Sequence, residues 1–221
     1  TIWFVVLVVP ASSILALTIA LLARPLSPRW NAFFRAAFYL PAVSSSVVLA
    51  IVWSWIFDPT FGLLNYLLSL VGLGPVAWLS DPTWALPALA LVVVSWVVGT
   101  AVILYSAGLD GIPGELLEAA AIDGTSPWQR LRYVTLPLLK PTTLYVLVTQ
   151  TIGAFQTFIV VQLLTRGGPA YRTYTLVYDI YVTAFQFFDF GYAAAQGVIL
   201  LLLAGAVAIL QIRFMRGDIT Y

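Results

Sequence analysis

Five stretches of this sequence contain no Asp, Glu, Lys or Arg: Ile2–Ala23, Phe38–Phe57, Trp84–Leu109, Pro141–Thr165 and Phe190–Ile212. Each is about as long as, or longer than, the roughly 20 helical residues that cross a hydrocarbon core about 30 Å thick. Lipid offers no hydrogen bonds, so each run must satisfy its own backbone N–H and C=O groups, which predicts helices rather than isolated strands. The short alternating strands of a membrane β-barrel are not visible. Composition agrees, with 62% hydrophobic and 9% charged residues, against roughly 45–50% and about 25% in ordinary soluble domains. The expected fold class is all-α, a polytopic transmembrane helical bundle of five spans forming one domain over residues 1–221. Ile2–Ala23 is too long for a signal peptide and lacks its basic flank and cleavage site, so it reads as a membrane helix. The chain opens at Thr1 inside a hydrophobic stretch and its only Met is Met215, which predicts a piece of a longer protein.

Positive charge sets the orientation. Arg24, Arg29 and Arg35 lie between the first and second runs, Arg130, Arg132 and Lys140 between the third and fourth, and Arg213 and Arg216 after the fifth. Eight of the ten cationic residues therefore fall on one side, which is expected to be cytoplasmic and to hold Tyr221. The chain start, the loop Asp58–Thr83 and the loop carrying Arg166 and Arg172 are expected outside. Within those outer loops, Leu63–Val71 reads as a short apolar surface helix ended by Gly72 and Gly74-Pro75. Tyr171, Tyr174, Tyr178, Tyr181, Phe185, Phe187 and Phe188 form an aromatic stretch suited to the membrane interface, simple anchoring being its plainest role.

What is missing narrows the function. With no Cys and no His, disulfides, thiol chemistry and the usual acid–base and metal-ligating side chains are excluded. A net charge of +1 gives a nucleic-acid partner no electrostatic support. The phosphate-cradling pattern GxxxxGK[ST] is absent, since the sole lysine, Lys140, follows no glycine loop. No ionisable residue lies within a charge-free run, so a proton relay through lipid is not expected. If the chain moves a solute uphill, another subunit must supply the energy. A passive channel or facilitator would need none, and a membrane enzyme lacks its catalytic groups.

The segment Ile112–Pro141 is the most informative. Pro113 suits a first helical turn, and Glu115 and Glu118 sit near the positive end of that helix. Asp123-Gly124 stops it, glycine tolerating the left-handed cap. Ser126, Pro127 and Gln129 then form the N-cap, first position and capping box of a second helix, before Pro137 and Pro141 bend the chain back towards the membrane. A short helix with a face of alanines is thus offered to the cytoplasm. Docking of a partner and mere connection of two spans both remain open from the pattern.

Glu118-Ala119-Ala120, Gly124 and Leu136-Pro137 resemble the EAA loop of importer permeases in the ATP-binding-cassette superfamily. Tyr39-Leu40-Pro41, Trp53-Ser54-Trp55-Ile56-Phe57-Asp58-Pro59, Gly62-Leu63-Leu64-Asn65, Ala107-Gly108-Leu109, Ile112-Pro113, Ile122-Asp123-Gly124, Leu164-Thr165-Arg166-Gly167-Gly168-Pro169 and Phe190-Gly191-Tyr192-Ala193-Ala194-Ala195 are similar to the carbohydrate branch. Within it they look most like the subunit type that contacts sugar in maltose transporters. Each motif is weak by itself and the ordered set is strong. Thr125 stands where alanine is usual, the family's first transmembrane helix is not in this sequence, and permeases for glycerol phosphate are also similar.

The resemblance implies a type I importer fold in a prokaryotic inner membrane and a chain that is not itself an enzyme. Its partners would be a second permease, two ATPase subunits that bind the ATP and Mg, an extracytoplasmic substrate-binding protein and membrane lipid. Glu118, Ala119, Ala120, Asp123 and Gly124 would couple the chain to an ATPase. Sugar-contacting positions fall on Val93, Trp96, Val97, Thr100, Gln150, Gly153 and Ala154. Of these, Trp96 suits stacking on a sugar face, Thr100 and Gln150 suit hydroxyl groups, and Gly153 leaves room. Helix packing in lipid is the competing use of such small and polar residues.

Overall fold

The computed structural model describes residues 1–215. In chain order it contains α1 (Ile2–Ala23), α2 (Pro28–Val43), α3 (Ser46–Ile56), α4 (Leu63–Leu70), α5 (Ala85–Asp110), α6 (Gly114–Ile122), α7 (Pro127–Arg130), α8 (Leu136–Leu138), α9 (Lys140–Phe155), α10 (Ile159–Leu164), α11 (Leu176–Phe185) and α12 (Phe190–Met215). A π-helical turn covers Leu131–Thr135, and no strand occurs among the described residues.

α1, α5 and α12 are long and apolar enough to cross a membrane unaided. They differ in surroundings: 61% of the apolar window of α5 is buried, against 39% for α1 and 17% for α12. α5 is the axis, packed on by α1, α2, α3, α9 and α10, whereas α12 meets α9 and α11 and turns Leu201, Leu202 and Ile209 outward. Two apolar clusters hold the bundle. Phe4, Val8, Leu89, Val92, Phe155 and Val161 build one; Ala16, Ala20, Val102, Tyr105, Leu109 and Leu139 build the other.

Backbone approaches backbone where α2 crosses α5. A Cβ on Gly99 would lie 2.2 Å from the Phe38 carbonyl oxygen and 2.7 Å from the Tyr39 Cα. Small residues permit such crossings in lipid, where close packing drives helix association. Gly99→Ala is expected to push α2 off α5 and to cost about 1–3 kcal/mol, read as a lower thermal unfolding midpoint in detergent. An unchanged midpoint would contradict the packing.

Two of the five expected spans are not single helices. Phe38–Phe57 is divided into α2 and α3, bent by 99°. Pro41 lacks the N–H that would continue the ladder, Ser44 turns extended at ψ 150°, and the Ser45 hydroxyl accepts from Val47 N–H to start α3. Pro141–Thr165 is likewise divided, with Gln156–Phe158 left out of helix between α9 and α10. Among the described residues, three helices are therefore long and apolar enough to cross unbroken, and up to four if the pair α2–α3 is one span.

Geometry agrees with the expected grouping of loops. Leu176 N–H donates to the Thr1 hydroxyl at 2.7 Å, so the chain start and the loop after α10 share one side. Arg35 pairs with Asp110 at 2.8 Å across the opposite side. Arg216 and Tyr221 lie outside the described residues. The expected helix at Leu63–Val71 is α4, ended by Gly72 at φ +76°. Asn65 in α4 ties the outer loop together, its amide donating to the Pro59 and Val76 carbonyls and accepting from Val76 N–H and Trp78 Nε1. Nearby, the Thr60 hydroxyl and the Phe61 and Thr60 N–H groups hold the Asp58 carboxyl below the usual carboxylate range.

The aromatic stretch divides in two. Tyr178 and Tyr181 pack on each other and on Phe158, Tyr174 meets Tyr178 edge-on, and Tyr178 is buried, whereas Tyr171, Phe185, Phe187 and Phe188 are exposed. Asp179, on the same helix, accepts from the Gln196 amide at 2.7 Å. Tyr174, Tyr178 and Tyr181 therefore belong to the outer core, and Tyr171 with the three phenylalanines is left for the interface.

Candidate substrate site and coupling helix

A cavity of about 260 Å³ opens between α2, α5 and α9. Trp96, Val97 and Thr100 reach it from one face of α5, and Gln150 and Gly153 from one face of α9, the i, i+3 and i, i+4 spacings placing each set together. Val93 and Ala154 do not line it; they are 2% and 3% exposed and belong to the core. Ala42, Ala101, Leu104, Val146 and Thr149 complete the wall. A second cavity of about 390 Å³ shares Trp96 and Gly153 and adds Ser46, Gln156, Thr157 and Phe158.

Sequence reasoning missed that second cavity, and the missed residues share a cause. Ser46 begins α3 just after the 99° bend, and Gln156–Phe158 is the break between α9 and α10. Non-helical backbone at membrane depth persists only where it is buried in protein or lines a wet cavity. Both breaks meet at one such cavity. Freed groups are partly re-paired there: Gln156 N–H reaches the Ile152 and Gly153 carbonyls, and the Thr157 hydroxyl donates to Gly153 at 3.3 Å. The available signals were Pro41 before the Ser44-Ser45-Ser46 run, and Gly153 within the fourth charge-free run.

The polar chemistry of the walls is uncharged. Neither the Trp96 indole N–H nor the Thr100 hydroxyl has a hydrogen-bond partner among the described residues. Gln150 is pinned from α1: the Ser12 and Ser13 hydroxyls donate to its carbonyl oxygen at 2.7 and 2.8 Å. Its amide nitrogen is buried and unpartnered. The group left to meet a ligand is therefore the amide donor, held in place by two serines that the sequence reading did not include. A Cβ on Gly153 would meet nothing within 4 Å, so the space beside it is open.

On the opposite side from the outer loops stands α6. Its base is anchored by Ile112, which is buried, and by Leu117 packing on the cluster of Tyr105, Leu109 and Leu139. Its end is a complete Schellman cap: Gly124 N–H bonds the Ala121 carbonyl at 3.1 Å and Thr125 N–H bonds Ala120 at 3.2 Å. Gly124 has φ +76°, which glycine adopts without a steric penalty. Thr125, where alanine was the expected residue, adds its hydroxyl to the Ala120 carbonyl at 2.5 Å. The capping box of α7 is present in both halves, Ser126 N–H to Gln129 Oε1 at 2.8 Å and Gln129 N–H to Ser126 Oγ at 3.3 Å.

Glu118, Ala119, Asp123 and Gly124 are exposed on α6 and its cap, whereas Ala120 is turned inward at 8% exposure. Ile122 at 86% and Trp128 at 67% add an apolar patch that sequence reasoning did not single out. Pro137 acts differently from a simple bend. Having no N–H, it leaves the Tyr133 carbonyl without its usual partner, and the chain shifts into the π register, Leu136 N–H bonding Leu131.

Residues 9–217 match the family described as binding-protein-dependent transport system inner membrane component. The chain belongs to this family. Among curated relatives, the permease is 36% identical over 207 residues to a probable ABC transporter permease of Pyrococcus horikoshii, covering 93% of this chain and 70% of that one. It is 36% identical to the lactose transport system permease protein of Rhizobium radiobacter, covering 96% and 72%. With the sn-glycerol-3-phosphate transport system permease protein of Agrobacterium fabrum, identity is 36%, covering 100% and 75%. Among solved structures, it superimposes on a chain of a bacterial ABC transporter involved in the import of the acidic polysaccharide alginate. The TM-score is 0.81 at 27% identity, covering 96% and 73%. It also superimposes on a chain of a bacterial alginate ABC transporter in complex with an alginate pentasaccharide-bound periplasmic protein, with a TM-score of 0.80 at 26% identity, covering 94% and 72%. The permease is thus a multi-pass membrane component of an ABC transport system, as the loop motifs implied.

Proposed function

We propose that the permease is the solute-contacting membrane subunit of an ATP-driven, binding-protein-dependent importer of a neutral sugar or oligosaccharide, in a prokaryotic inner membrane. One observation carries this reading: the cavity holding the unpaired donors of Trp96, Thr100 and Gln150 shares Trp96 and Gly153 with a second cavity where two broken helices meet, and no charged residue lines either among the described residues. A sugar offers hydroxyl acceptors to Trp96, Thr100 and Gln150 and an apolar ring face to the Trp96 indole. A phosphate or a uronate would leave its charge uncompensated against these walls, since a buried anion needs a cation or several donors. Neutral substrates of the kind named for the lactose relative therefore fit this chain's share of the site better than glycerol phosphate or alginate.

Energy would come from partners. A second permease would close the solute path, an external binding protein would deliver the solute, and two ATPase subunits would hold ATP and Mg. α6 would be the coupling helix, with Glu118, Ala119, Ile122 and Asp123 at the ATPase and Ala120 supporting from behind. This buttressed, exposed helix favours an importer over a passive channel, which has no use for it. In proteoliposomes of the assembled transporter, uptake of a labelled neutral disaccharide is expected to require both internal ATP and the loaded binding protein. Uptake without ATP would turn the assignment to a channel, and preference for glycerol phosphate would overturn the solute class.

A further inference from the structure

We infer that the basic rim of this permease carries a binding site for one anionic phospholipid, between the end of α1 and the start of α2. A cavity of about 270 Å³ lies there, lined by Ile19, Leu22, Ala23, Leu26, Phe34 and Phe38, with no polar side chain among them. Such a cavity at the edge of a membrane bundle takes hydrocarbon. The charges beside it select the kind. The Asn31 amide donates to the Ala23 carbonyl at 2.9 Å, fixing the first turn of α2 against the last turn of α1. Arg24 follows Ala23 directly and Arg29 precedes Asn31 by two positions, so both segments stand on the same rim of the cavity.

Neither guanidinium has a partner among the described residues, in contrast to Arg35, which pairs with Asp110. The first acidic residue in the chain is Asp58, beyond the outward end of α3, so nothing in α1, α2 or their connection neutralises this charge. Arg24 and Arg29 can therefore clamp a phosphate, for which the planar guanidinium is suited. Trp30, 60% exposed, stands where an indole belongs at headgroup depth. The acyl chain lies in the cavity and the phosphate between the two arginines. A zwitterionic headgroup brings its own cation into that field and is held less well. Bound there, the lipid braces α2, the half of the bent pair that reaches the candidate site at Ala42. The inference depends neither on the solute nor on the coupling role of α6.

The test uses the full-length permease in its assembled transporter, purified in detergent and titrated with phosphatidylglycerol or phosphatidylcholine under native mass spectrometry. One phosphatidylglycerol is expected to stay bound. Arg24→Gln with Arg29→Gln should weaken it about tenfold or more, while Arg213→Gln, on the same side but remote in sequence, changes it by less than about twofold. Leu26→Trp, which fills the cavity without touching the charges, should lower retention as well, and it decides the matter if the double variant does not assemble. Soluble sn-glycerol 3-phosphate should not displace the lipid. Equal retention of both lipids, displacement by the soluble phosphate, or an equal loss in Arg213→Gln overturns the proposal. Lipid bound to the isolated permease but absent from the assembled transporter also overturns it and gives the cavity to the partner permease.

Discussion

Gly124→Pro is expected to abolish substrate-stimulated ATP hydrolysis by the assembled transporter while the permease still inserts and assembles. Proline locks φ near −65°, and Gly124 stands at +76° with its N–H bonded to the Ala121 carbonyl. The substitution removes that bond and forbids the turn, so the Schellman cap opens and α6 loses its direction. Gly124→Ala is the graded companion. Its Cβ would meet nothing within 4 Å, leaving only the left-handed backbone cost of about 1–2 kcal/mol, and it should retain part of the stimulation. Glu118→Lys would isolate the proposed docking step, because Glu118 is exposed and makes no bond to another side chain among the described residues. Exposed substitutions of this kind usually change stability by less than about 0.5 kcal/mol. Loss of stimulation in Glu118→Lys with an unchanged unfolding midpoint therefore locates the defect at the partner surface. Normal stimulated hydrolysis and uptake in both Gly124→Pro and Glu118→Lys would sink the coupling assignment.

Changing the cavity walls should raise the solute concentration needed for uptake without touching assembly. Thr100→Val keeps shape and removes an unpaired hydroxyl; one lost hydrogen bond is worth about 1 kcal/mol, roughly fivefold in apparent KM. Gln150→Leu removes the buried amide donor with a similar or larger effect. Its structural cost is limited, because the Ser12 hydroxyl still reaches the Val8 carbonyl at 2.7 Å. Trp96→Ala takes away an indole face and a donor together, the kind of anchor worth about 2 kcal/mol or more, roughly thirtyfold. Val93→Ala serves as the contrast: Val93 is in the core, so it should lower stability and leave the apparent KM alone. Unchanged kinetics in Trp96→Ala and Gln150→Leu together would move the solute path elsewhere. Since no titratable group lines either cavity among the described residues, these effects should hold across neutral pH.

The caps around α6 were fully legible in the sequence, because capping is local. Ser126 and Gln129 are three residues apart, and Gly124 needs only its own neighbours to adopt a positive φ. The candidate positions on α5 and α9 came instead from the resemblance of the loop motifs, and helical spacing then accounts for Trp96 lying with Thr100 and Gln150 with Gly153. Val93 and Ala154 fall inside the core because helix packing, not spacing, decides where a cavity ends. Ser12 and Ser13 could not be read as partners of Gln150 at all: a separation of more than 130 residues carries no local signal. Ala120 shows the same limit on a smaller scale, its inward turn depending on how α6 sits against the core.

From the sequence alone follow the membrane setting and the all-helical class, because lipid forbids unpaired backbone and charge wherever they would fall, and the family, through its ordered loop motifs. The tertiary structure decided where two apparent spans break. A charge-free run of 20 residues satisfies the length and polarity that lipid demands whether it is straight or bent. What makes a break tolerable is a neighbour that re-pairs or shelters the freed backbone, and that neighbour is supplied by distant chain: α5 beside Ser46, and α3 beside the α9–α10 gap. The candidate solute path exists because those two breaks face each other, an arrangement that only long-range packing can make.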